Sequence, residues 1–164
     1  LRGVYQEAGY GAELFEAVRS VRAPGTLTPL DFDRRLRACH DFVRLPAAGS
    51  LTEANKRIRN ILRKAGSEIP ATVDKTRLDE PAEQALESAL ESRAPAVEAL
   101  IQRGAYSEAL AQLAELREPV DRFFDQVMVM SDDPAIQANR LALLQRLQDQ
   151  FLAIADVSAL PESA

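Results

Sequence analysis

The stretch VMVMSDDPAIQANRLALLQRL, Val127 to Leu147, decides how this chain is read. Asp132, Asp133 and Pro134 make a helix start. A short acceptor side chain bonds the free N–H groups of a first turn, and proline suits the first helical position. Ile136, Leu143, Leu144 and Leu147 then follow as an apolar stripe at helical spacing. Arg140 falls on that stripe. A guanidinium on a face that a helix buries usually pairs with a carboxylate. The nearest acids in the sequence, Asp121, Asp125, Asp132 and Asp133, are the expected candidates.

Working outward, the same punctuation recurs. Tyr10 to Val21 reads as a short helix closed by APGTLTP. Thr28 with Asp31 resembles a capping box, Pro29 suits the first turn, and Leu36, Cys39, Phe42 and Val43 carry helical spacing. Ser50 with Glu53 predicts a second box, opening a helix to about Ala65 with Gly66 as its stop. Residues 67–82 are polar and form an irregular connection. Pro81 starts a long acidic helix that Arg103-Gly104 closes. Its Glu83, Glu87 and Glu91 repeat every fourth residue and are expected on a solvated face. Tyr106 to Met130 reads as one amphipathic helix through Leu110, Leu113, Leu116, Val120, Phe123, Phe124 and Val127. Pro119 within it predicts a kink or a fresh start. The last helix is expected from Pro134 to about Val157, and no strand pattern appears.

The fold class is therefore all-α, a bundle of about six to seven helices. Composition agrees: of 164 residues 46% are hydrophobic and only 5% aromatic, with no Trp, which suits close-packed helices. Residues 1–164 are read as a single helical domain. The start at Leu1, with Met128 and Met130 the only methionines, suggests a piece of a longer chain. No apolar run is long enough for a membrane span. Cys39 is the only cysteine, so no disulfide framework or thiolate cluster is expected, and a cytoplasmic location is the default.

Catalytic signatures are missing. His40-Asp41 matches the dipeptide of metal-dependent phosphohydrolases, but such a site needs several histidines and the chain has one. There is no nucleophile elbow, phosphate loop or dinucleotide fingerprint. GAYSEALAQLAEL is similar to a tetratricopeptide helix, yet no second copy follows at the required period of about 34 residues. The expectation is a fragment that binds, with no catalytic residues, no metal site and no cofactor of its own.

Charge places the binding surface. Residues 1–66 carry 12 Lys and Arg against 7 Asp and Glu, whereas residues 67–164 carry 8 against 18. The densest basic segment is SLTEANKRIRNILRKAG, residues 50–66. On a helical wheel Lys56, Arg57, Arg59, Asn60, Arg63 and Lys64 fall within a sector of about 160°. Leu51, Ala54, Ile58, Ile61, Leu62 and Ala65 take the other side. One face docks and the other suits a phosphate backbone, where each cation releases condensed counterions. Asn60 and the boundary residue Asn55 add amides able to donate and accept toward bases or riboses. Arg19 and Arg22 are expected to extend the patch. The competing reading is a solvated face paired with acidic helices elsewhere.

Three blocks carry a resemblance: LTEANKRIRNIL (51–62), YSEALAQLAELREPVDRFFDQVMVMSDDPAIQANRLALLQRL (106–147) and FLAIADVSAL (151–160). Together, in this order, the chain resembles the C-terminal region of the bacterial glycyl-tRNA synthetase β subunit. That region is similar to the all-helical anticodon-binding domain of arginyl-tRNA synthetase. The resemblance implies recognition of the anticodon region of glycine tRNA. It also implies glycine activation with ATP and magnesium elsewhere in the whole enzyme, on the α subunit, so that the α subunit and the rest of the β subunit are expected partners. Asn55, Lys56, Arg57 and Asn60 stand at the family's NKR..N pattern and are assigned by it to RNA contact. Arg59, Arg63 and Lys64 come from the wheel alone. Phe123, Phe124, Val127 and Met128 are read as packing. Arg140 matches the family's NRL. It either pairs structurally or lines an RNA groove, and its acidic neighbourhood favours the first. A different class of function, a helical docking module that holds synthetase domains or subunits together, remains the alternative.

Overall fold

A computed structural model of the chain describes residues 11–19, 21, 28–66 and 69–161. Seven α-helices occur among them: α1 Ala12–Arg19, α2 Pro29–Phe42, α3 Ala48–Ala65, α4 Pro81–Gln102, α5 Tyr106–Ala114, α6 Arg117–Gln126 and α7 Pro134–Leu152. Short 3-10 turns lie at Lys75–Arg77 and Val157–Ala159, and no strand is present among the described residues. The all-α expectation is met.

The termini follow local chemistry, with three corrections. Thr28 accepts from the Asp31 backbone N–H at 3.1 Å, and Pro29 opens α2. Asp133 accepts from Ala135 and Ile136 N–H to start α7. Gly66 closes α3 at φ +54°, a left-handed conformation that costs a residue with a Cβ more than it costs glycine. Gly104, at φ +72°, lets the chain turn from α4 into α5. The expected Ser50–Glu53 box does not form. α3 begins earlier, at Ala48, and the Ser50 hydroxyl donates instead to Asp121 of α6 at 2.6 Å. The fresh start expected near Pro119 occurs: the chain breaks at Glu115-Leu116 and restarts with Pro119 in the first turn of α6, where its missing N–H costs nothing. α6 ends at Gln126, and Val127 to Ser131 runs on outside any helix. α7 ends at Leu152 rather than near Val157.

α7 packs on α3, α4 and α5, while α6 packs on α3 and α4, and α2 on α1 and α5. Phe42, Phe123, Phe151, Leu36, Leu51, Ile58, Leu86, Leu110 and Leu143 fill the shared core and are buried almost completely. The 157–159 turn packs against both α1 and α3.

Two buried arginines join the helices. Arg140 is 6% exposed, and its Nε and Nη2 donate to Glu83 Oε1 at 3.0 and 2.8 Å. Its Nη1 donates to the Met128 carbonyl. The structural reading of Arg140 holds, but the partner is none of the four nearby aspartates. It is Glu83 at the start of α4, 57 residues away in sequence and 0% exposed. Glu87 is also buried, 3.2 Å from Arg146 and 3.7 Å from Lys75. Of the three glutamates expected on a solvated face only Glu91 is exposed, paired with Lys75 at 2.7 Å.

The second junction is Arg35 of α2. It donates to Asp31 Oδ2 at 2.7 Å, to the Ala153 and Ile154 carbonyls at 2.8 Å each, and to the Tyr106 hydroxyl at 3.0 Å. Its guanidinium carbon also lies 4.2 Å from the Tyr106 ring centroid. One side chain thus ties α2 and α5 to the two carbonyls just beyond the end of α7, groups with no other partner among the described residues. Burial pushes the Asp31 carboxyl up, but hydrogen bonds from Tyr106 and Arg35 and the charges of Arg35 and Arg34 outweigh it. Its pKa lies below the ordinary 3.8.

The connection before α4 holds only the 75–77 turn among its described residues, yet it is pinned. Asn139 of α7 accepts from Asp74 N at 2.7 Å and donates to Asp74 O at 2.9 Å.

Candidate nucleic-acid interface

α3 seats itself through Leu51, Thr52, Ala54, Asn55 and Ile58, all buried. Arg57, Arg59, Asn60, Arg63 and Lys64 are exposed on its other side, and Lys56 is half-buried. The basic face expected from the wheel therefore exists as one surface. Arg63 and Lys64 stand in the last turn, where cations offset the negative end of the helix dipole.

Several of these side chains are held in place. The Arg57 guanidinium carbon lies 4.5 Å from the Phe124 ring centroid on α6. Arg59 Nη1 donates to Ser158 Oγ at 3.1 Å, and Ser158 in turn donates to Asp156 Oδ1 at 2.5 Å. Arg63 Nη2 donates to Asn60 Oδ1 at 2.9 Å, which leaves the Asn60 amino group turned to other acceptors. These contacts reduce the side-chain entropy that a ligand would otherwise have to freeze.

Asn55 does not belong to the face. It is 4% exposed, and its Nδ2 donates to the Leu51 carbonyl one turn back at 2.9 Å. The wheel put it at the boundary and the family pattern assigned it to RNA contact; it is buried because α3 is flanked by α6, α7 and the 157–159 turn. That width of contact covers more of the helix than a single docking stripe would, and an internal Asn then turns to its own backbone. Arg19 is exposed at the end of α1 but is engaged with Glu16 at 3.0 Å. Arg22 lies outside the described residues.

Phe124 was expected to pack, and it does so only in part: it is half-buried, edge-on to Phe123 with centroids 5.5 Å apart. Two adjacent helical residues point about 100° apart, so a core that covers only one side of α6 buries Phe123 more fully than Phe124. Sequence reasoning missed the cleft beneath Arg57, a hollow of about 300 Å³ between α3 and α6 lined by Ser50, Glu53, Ala54, Arg57, Asp121, Phe124 and Asp125.

Burial pushes the Cys39 thiol up to about 12, which keeps it protonated near neutral pH and a poor nucleophile. His40 is half-buried. Among the described residues no helix is long and apolar enough to cross a membrane.

Comparison with known proteins bears on what such a face does. The family described as DALR anticodon binding domain matches residues 51–160. The glycine--tRNA ligase beta subunit of Marinobacter nauticus is 49% identical over 161 residues, which is 98% of this chain and 23% of that protein. The protein of the same name from Psychromonas ingrahamii is 51% identical over 159 residues, 97% of this chain and 23% of its own length. The one from Vibrio atlanticus is 48% identical over 159 residues, with the same coverage. The chain thus spans 23% of the length of these relatives.

Proposed function

This chain belongs to the DALR anticodon binding domain family, and from that premise we propose that the outer face of α3 binds the anticodon stem-loop of glycine tRNA. The observation that carries this reading is the grouping of Arg57, Arg59, Arg63 and Lys64 on one exposed side of a helix whose other side is locked into the core. Phosphates would meet the cations, and unstacked loop bases would meet the Asn60 amide and the side chains around Arg57. In this proposal the chain acts as part of a cytoplasmic glycine--tRNA ligase. Glycine activation, with its ATP and magnesium, takes place on another part of that enzyme, the α subunit. This region contributes no catalytic group.

The test is a titration of the full-length β subunit with glycine tRNA and with a non-cognate tRNA at two salt concentrations. Affinity that falls steeply with salt, with a preference for the cognate, supports the reading; binding insensitive to salt sinks it.

One observation favours a second reading, the docking module. In Val127–Met130 buried and exposed residues alternate. Val127 and Val129 are 7% and 8% exposed, whereas Met128 and Met130 are 73% and 54% exposed. Two outward methionines beside Asp132 and Asp133 suit a protein surface better than a phosphate chain. Replacing both by Ser and measuring whether the subunits stay assembled separates this contact from the RNA face.

A further inference from the structure

Between α6 and α7 the chain raises a small apolar projection. Among the described residues three large hydrophobic side chains are exposed, Leu30, Met128 and Met130, and two of the three share this one short segment. The segment is held from beneath. Val127 and Val129 belong to the core, and the Met128 carbonyl accepts from Nη1 of Arg140, whose other two nitrogens are committed to buried Glu83. Val127 is extended, at φ −109° and ψ 128°, and successive side chains of an extended chain point to opposite sides. With the valines inward, the methionines must face out. The Arg140–Glu83 pair therefore does more than join α4 to α7: it also fixes the backbone that presents Met128 and Met130.

We propose that these two methionines seat in an apolar hollow, rimmed by Lys or Arg, on the part of the same polypeptide that lies outside this chain. The proposal rests on the docking reading above and names its partner. An unbranched thioether fits an irregular hollow without demanding one shape. The rim is basic because Asp125, Asp132 and Asp133 flank the segment, all exposed, and no Lys or Arg occurs between Arg122 and Arg140. The size of the projection decides between a tethered and a free partner. A stable association of separate proteins buries about 800 Å² on each side, far more than two side chains supply. A tethered partner is already present at an effective concentration on the order of millimolar, so a small contact suffices. Such a partner exists, since the relatives matched by this chain are only 23% covered by it. The contact has a consequence for the RNA face. α6 packs on α3, so anchoring the segment that follows α6 sets the direction in which the α3 cations point.

The experiment is methionine footprinting on the full-length β subunit. Dilute hydrogen peroxide gives one oxygen to an exposed thioether and leaves water, and peptide mass spectrometry reads the sulfoxide at each site. N-acetylmethionine amide in the same tube is the exposed reference. In the β subunit alone, Met128 and Met130 should oxidise roughly 10-fold more slowly than the reference, and dilution should not change this. Asp132→Lys should raise both rates several-fold without shifting the melting temperature. Unchanged rates in that variant overturn the basic partner. Protection that is lost on dilution means a second copy covers the segment and overturns the proposal. Protection that appears only when the α subunit is added also overturns it, while the docking reading survives with a different partner. Protection that appears only with glycine tRNA assigns the segment to RNA, and full reactivity in every sample leaves it bare; either result removes the docking reading as well.

Discussion

α3 and α4 both carry charges at helical spacing, and the two helices use them in opposite ways. On α3 the cations from Arg57 to Lys64 point to solvent, and the apolar side docks. On α4 Glu83 and Glu87 look in sequence like a matching anionic face, yet they are 0% and 5% exposed. The difference lies in what the fold brings to each. Opposite α4 it places Arg140 and Arg146, 57 and 59 residues from their partners, so that carboxylates can be buried without being left unpaired. On α3, Arg57, Arg59 and Arg63 meet the Phe124 ring, the Ser158 hydroxyl and the Asn60 amide, none of them a carboxylate, and they remain outside. A row of like charges thus tells which residues share a side of a helix. It does not tell whether that side is wet.

This contrast can be broken at its strongest point first. Arg140→Ala strands Glu83 in the core and should cost about 3–5 kcal/mol, read as a large drop in melting temperature. If the loss comes from the unpaired charge, a double change to Met at 140 and Leu at 83 should recover much of it. An Arg140→Ala protein with an unchanged melt would make the pair incidental. On α3, Ile58→Ala should cost about 2–5 kcal/mol because Ile58 is fully buried. Ile61 is only half-buried, and its truncation should cost clearly less. Equal losses would mean that α3 docks through a different face from the one described.

Arg146→Ala should have a smaller effect than Arg140→Ala. Arg146 is itself 31% exposed, and Lys75 remains 3.7 Å from Glu87 to share the charge. About 1 kcal/mol is expected. The Asp31–Arg35–Tyr106 junction adds a dependence on pH. Because folding lowers the Asp31 pKa, its contribution is complete above the ordinary value of 3.8 and is lost as pH falls through the lower folded value. Asp31→Asn should therefore flatten the acid limb of a stability-against-pH curve. An acid limb identical to the parent's would show that other carboxylates set it.

The smallest stability effects belong to the face proposed for RNA. Arg63→Ala and Lys64→Ala should each change stability by no more than about 0.5 kcal/mol. Each should lower the slope of log affinity against log salt by about one unit. Substantial unfolding would turn these cations into structural residues and erase the contrast with α4.

The sequence by itself determined the helices, most of their ends and the basic side of α3. Those properties depend on neighbours three or four residues apart, and local steric and hydrogen-bonding rules govern them. Pro29, Pro81 and Pro134 open helices; Gly66 and Gly104 end or turn them. Even the fresh start near Pro119 was visible. The tertiary structure decided what depends on residues far apart in the chain. It gave Arg140 its partner in Glu83, gave Ser50 to Asp121 rather than to a cap, drew Asn55 inward, and set Phe124 beneath Arg57. Burial is a property of the helix that arrives opposite, and periodicity within one helix carries no record of which helix that is.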